Sequence, residues 1–145
     1  MTGNHISHFA IFIGIWNTRG EVLETEQAPA TTLVATDSYR WLPGHHFLVH
    51  DVDARFGTDV SRSMEIIGYD TTNTKYVAHS YDDKGVSEVF DVVLNGKHWK
   101  ILGETVRFEG EFSSDDKKLV GLWELKSKKS VWQPWIKLEL IRAEP

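Results

Sequence analysis

Every link between successive apolar runs of this 145-residue chain is a short turn, and that feature most limits how the chain can fold. Ten β-like runs are legible, at residues 16–26, 31–42, 46–56, 60–69, 75–81, 86–94, 97–102, 106–112, 118–125 and 131–142. A parallel crossover needs a dozen or more residues, usually helical, and none of the nine links supplies them. Neighbouring runs therefore form antiparallel hairpins in series. With an even number of strands, the first and last run in opposite directions and can pair. Closure into an up-and-down barrel removes both exposed edges, whereas a two-sheet sandwich usually needs longer Greek-key connections.

Turn chemistry marks the links. Pro43-Gly44 ends the second run, and the segments 70–74 and 82–85 carry Asp, Asn and Gly. Asn95-Gly96 is the strongest hairpin signal, read as a type I′ turn because both residues tolerate positive φ. Residues 6–12 read as a short helical turn ahead of Gly14.

Alternation assigns faces. Val106, Phe108, Gly110 and Phe112 share one face of their run and Arg107, Glu109 and Glu111 the other, so the first set points inward. By the same rule Leu119, Gly121, Trp123 and Leu125 share a face, as do Trp132, Pro134, Ile136, Leu138 and Leu140. Gly110 and Gly121 either mark bends or leave interior space. Ten strands make a wider barrel than the eight that just hold one small ligand, so a partly empty interior is expected.

Several classes are excluded or disfavoured. There is no cysteine, hence neither disulfide nor thiolate chemistry. A net charge of −5 argues against nonspecific nucleic-acid binding, and Lys126-Ser127-Lys128-Lys129 reads as a solvated turn. The N-terminus lacks a basic n-region and its apolar stretch is too short for a signal or membrane segment, so a cytoplasmic location without membrane attachment is expected. Residues 1–145 are read as one domain.

Gly14-x-Trp16 after a helical turn, a meander of about ten strands and Arg142 near the end of the last together resemble the calycin superfamily of lipocalins and fatty-acid-binding proteins. Trp41-Leu-Pro-Gly44, Phe47-Leu-Val-His50, Ile66-Ile-Gly-Tyr-Asp70, Trp99-Lys-Ile, Arg107-Phe-x-Gly110 and Gly121-x-Trp123-Glu124 look more like a bacterial family of lipocalin-like domains, DUF1579. The resemblance covers nearly the whole chain and implies the fold more than any activity. It also implies that Arg142 stacks on Trp16 and plugs one end of the barrel, with Gly14 beside them. Nitrobindins, a related ten-stranded group, hold heme through a His near the C-terminus. This chain has no His after His98, so heme is not carried over and no cofactor is expected.

Candidate lining residues of the interior are His50, Tyr69, His79, Tyr81, Glu88, Trp99 and Trp123. His50 shares a face with Leu48 and Val52, and His79 with Val77 and Tyr81. Glu88 lies on the face of Val86, Phe90 and Val92. An unpaired buried carboxylate there would have its pKa raised, so it should pair or meet a ligand. Asp51 and Asp53 fall on the outer face. No metal is expected: on a strand His46 and His50 would lie about 13 Å apart, too far to share an ion.

Three functional readings follow. The first is a barrel that binds a small, largely hydrophobic molecule. The second is a small enzyme, an isomerase, cyclase or hydrolase, with His50, His79 and Glu88 as acid–base groups. The third is a solid barrel whose Trp132-Gln-Pro-Trp135 segment meets a protein partner, with self-association left open.

Overall fold

The computed structural model describes residues 5–144. Among them a 3₁₀ turn, Ser7–Phe12, leads into ten strands: β1 (Gly14–Val22), β2 (Thr31–Trp41), β3 (Phe47–Phe56), β4 (Asp59–Asp70) and β5 (Lys75–Asp82), then β6 (Ser87–Asn95), β7 (His98–Leu102), β8 (Val106–Phe112), β9 (Lys118–Lys126) and β10 (Trp132–Arg142). Each strand pairs with its sequence neighbours, and β1 pairs antiparallel with β10 to close the barrel. The all-β, up-and-down architecture is the one the short links dictate.

The end of β1 and the form of one turn differ from expectation. β1 stops at Val22 instead of continuing to residue 26. The backbone turns there, with Thr25 N–H donating to the Ala28 carbonyl, and Pro29 has no N–H to offer a ladder. The β6–β7 hairpin forms, but Asn95 pairs with His98, so its central residues are Gly96 and Lys97. Gly96 has φ +62° and Asn95 and Lys97 do not enter positive φ, which is the pattern needing glycine at the first central position and not the type I′ turn.

One end of the barrel is plugged. The 3₁₀ turn buries Phe9 and Phe12, joined by Ile6 from just ahead of it, against Trp16, Tyr39 and Trp99 in the main core. Phe12 stands 4.9 Å from Tyr39 and 4.8 Å from Trp99, ring centre to ring centre. Trp16 Nε1–H donates to the Phe12 carbonyl at 2.8 Å, tying the turn to β1. Trp16 and Arg142 are direct partners across the β1–β10 seam, and the guanidinium lies 4.2 Å over the indole. The same guanidinium donates to the carbonyls of Ile11, Ile13 and Asp116. A cation–π contact of this kind is worth roughly 0.5–2 kcal/mol. Arg142 thus clamps the turn, the seam and the β8–β9 link at one point. Gly14 sits at φ +130°, where an added Cβ would also press on the guanidinium.

Gly110 and Gly121 are direct partners on β8 and β9. A Cβ at either would run into the Phe108 ring, so the pair makes room for that side chain and leaves no void of its own.

Candidate functional site

Above the plug the barrel holds a cavity of about 340 Å³ that opens toward the other end. Tyr39, Trp99, Leu119 and Leu140 line its floor, while Leu33, Phe56, Ser61, Glu88, Val106 and Trp135 stand toward the mouth. The volume is at the low end for small-molecule sites, which typically run about 300–1,000 Å³.

The deepest polar feature is built across three strands. Tyr39 of β2 is the cross-strand partner of His50 on β3, and His50 that of Glu65 on β4. Asp37 enters the interior one inward position along from Tyr39. His50 Nε2 lies 2.7 Å from Asp37 Oδ2 and its Nδ1 3.1 Å from Glu65 Oε1. Thr18 Oγ1–H donates to the other Asp37 oxygen at 2.5 Å. The Tyr39 and His50 rings stack at 3.9 Å, only 9° from parallel. Among the described residues no buried side-chain nitrogen or oxygen lacks a partner.

The electrostatics follow from that packing. Burial alone would lower the His50 pKa, but hydrogen bonds to Asp37 and Glu65, with their charges, outweigh it and raise the imidazole to about 9. At neutral pH His50 is therefore a cation donating from both nitrogens. Burial, reinforced by the charges of Asp37 and Glu65, pushes the Tyr39 phenol well above its usual 10, so it stays neutral.

Of the residues named from sequence, His50, Glu88, Trp99 and Trp123 line the cavity. Tyr69, His79 and Tyr81 do not. On β5 the buried and cavity-facing positions include Ala78 and Ser80, placing Val77, His79 and Tyr81 on the outer face. Both faces of β5 carry apolar residues, so alternation alone could not fix its phase. Tyr69 lies at the plugged end, stacked 4.2 Å from His5 and edge-on to Tyr76. His50, His79 and Glu88 therefore do not converge on one cavity. The outer acids pair as surface groups, Asp51 with Arg40 and Asp53 with Arg62.

The face assigned to β10 holds for Ile136, Leu138 and Leu140, which line the cavity, and changes only for Trp132 and Pro134. A register shift between Pro134 and Ile136 lets Trp135 enter the cavity next to Ile136. Trp132 lies instead beneath Arg107, whose guanidinium is 4.1 Å from the ring, and Arg107 in turn pairs with Glu124 at 2.7 Å.

Asp37 and Glu65 were not apparent from the sequence as site residues. Their signal was present in the alternation: Leu33, Ala35, Asp37 and Tyr39 share one face of β2, and Ser63, Glu65 and Ile67 one face of β4, so each acid interrupts an inward set. No cluster of three His, Asp or Glu side chains suited to a metal ion occurs among the described residues. No helix among them is long and apolar enough to cross a membrane.

A closed antiparallel wall of ten strands, plugged at one end and hollow toward the other, defines a cavity-bearing β-barrel. The model of the family described as "Protein of unknown function (DUF1579)" matches residues 3–120, and the chain belongs to that family. No curated protein matches the sequence. Among solved structures, Rv2717c from M. tuberculosis is similar, with a TM-score of 0.70 and 12% identity over 99% of this chain and 100% of that one. At that identity the likeness concerns the fold.

Proposed function

We propose that the protein binds a small, largely apolar molecule inside its barrel, as a cytoplasmic lipocalin-like binding protein. The observation that carries this reading is the interior cavity of about 340 Å³, floored by Tyr39 and Trp99 above a built plug. Packed protein interiors rarely hold voids larger than a water molecule, and keeping this one forgoes dispersion contacts along its walls. A hollow of that size also argues against a solid barrel serving only as an interaction module.

The enzyme reading gains less support. With both ring nitrogens of His50 donating to carboxylates, the imidazole has no free lone pair with which to accept a proton from a substrate. His50 acts as the positive tie that holds two carboxylates side by side.

The test is uptake of a neutral apolar fluorophore, N-phenyl-1-naphthylamine, followed by its blue-shifted emission. The wild type should bind it at one site per chain. Ala54→Phe, which adds a ring at a buried cavity-lining position, should not, while keeping the far-ultraviolet circular dichroism of the native barrel. Equal uptake by both proteins would refute interior binding.

A further inference from the structure

Every polar residue lining the cavity except Thr18 stands on β2–β6, among the apolar Leu33, Ala35, Val52, Ala54, Phe56 and Phe90 of the same strands, whereas the lining from β7–β10 is wholly apolar, and this asymmetry narrows the ligand class. This inference rests on the interior-binding reading above. From β2 to β6 one residue per strand forms a continuous cross-strand row facing inward: Tyr39, His50, Glu65, Ser80 and Glu88, each the direct partner of the next. Ser61 and Ser63 extend the polar surface toward the mouth. From β7 to β10 the matching row is Ile101, Phe108, Trp123 and Ile136, again direct partners and all lining the cavity. Strands in a sheet lie about 4.8 Å apart, so each row is a wall some four or five side chains wide.

The polar wall is also one-sided in charge. Asp37, Glu65 and Glu88 are carboxylates, and no Lys or Arg lines the cavity. The one cation, His50, already spends both nitrogens on Asp37 and Glu65. Ser61, Ser63, Ser80 and Glu88 stand outside that hydrogen-bonded group. A ligand anion entering here would lose its water shell, find no free cation and face like charges across a low-dielectric space. A hydrogen-bond donor or a cation would find acceptors instead.

We infer that the ligand is a two-faced small molecule, with an apolar face against β7–β10 and a donor-bearing, neutral or cationic edge against β2–β6, and that the cavity rejects carboxylates of the same skeleton. This differs from a fatty-acid site, which needs a cation free to receive the head group.

The experiment is displacement of bound N-phenyl-1-naphthylamine near neutral pH by three molecules sharing one skeleton: 2-naphthylmethylamine, 2-naphthylmethanol and 2-naphthoic acid. The amine and the alcohol should displace the probe at least about tenfold better than the acid, a ratio equivalent to about 1.4 kcal/mol. Glu65→Gln and Glu88→Gln each remove one negative charge. Glu88 is exposed at the mouth, so its variant reads out charge without burdening the fold. A narrower amine-to-acid ratio in either variant supports the inference. An acid that binds as well as the amine, or a ratio unchanged in both variants, overturns it while leaving interior binding intact. Failure of the wild type to take up the probe at all would instead overturn the binding reading, and this inference with it.

Discussion

His50 ties the cavity's chemistry to the stability of the fold, so the pH dependence of unfolding reads out the site directly. Its pKa is about 9 in the folded protein and returns to its ordinary 6.5 when the chain unfolds and Asp37 and Glu65 move away. The folded value is the higher one. The stabilisation is therefore complete below pH 6.5 and is lost as pH rises toward 9. At 1.36 kcal/mol per pH unit, that rise corresponds to about 3 kcal/mol. A domain of this size is stable by roughly 5–15 kcal/mol, so the loss should be plain in urea unfolding curves recorded across that interval. His8, whose pKa burial lowers, acts below its ordinary 6.5 and so outside the window. His50→Gln keeps a hydrogen-bonding side chain without the titrating charge and should flatten the profile between pH 6.5 and 9. It should also be less stable than the wild type at pH 6.5, because Asp37 and Glu65 then face each other without the intervening cation. A wild-type profile with no decline over this interval, or the same decline in His50→Gln, would refute the clamped-imidazolium account.

Two further outcomes follow from the plug and the wall. Arg142→Ala removes the stack on Trp16 and the hydrogen bonds to Ile11, Ile13 and Asp116, and should cost about 2–4 kcal/mol in urea unfolding. Arg142→Lys should recover only a minor part of it, since an ammonium cannot span the same carbonyls and the indole face together. Gly121→Val drives a side chain into the space of the Phe108 ring and should push that ring into the cavity. Fluorophore uptake should then fall at least about tenfold, beyond what any fall in stability explains, because overpacking displaces neighbours.

The barrel was legible because its determinants are local. Turn residues and short links exclude crossovers, and an even strand count permits the β1–β10 seam where Trp16 meets Arg142. The site was only half legible, because its determinants are pairings between strands. Asp37 and Glu65 stand 13 and 15 residues from His50 in sequence, and only the barrel register brings all three together. The outward turn of His79 and Tyr81 was hidden by apolar residues on both faces of β5. Entry of Trp135 into the cavity depends on a bulge beside Pro134, and that one-residue shift turns Trp132 away while Ile136, Leu138 and Leu140 stay inward. Spacing leaves Gly110 and Gly121 open to two readings, a bend or interior space, yet the space they leave is taken by Phe108, a fact of packing that no spacing encodes.

The central claim, that the barrel interior carries a small molecule, is tested most directly by native mass spectrometry of the protein purified from its own host. A loaded barrel should give an ion heavier than the chain by one discrete small mass, lost on denaturation and absent from Ala54→Phe. A wild-type ion at the mass of the bare chain, or the same added mass on Ala54→Phe, would contradict it.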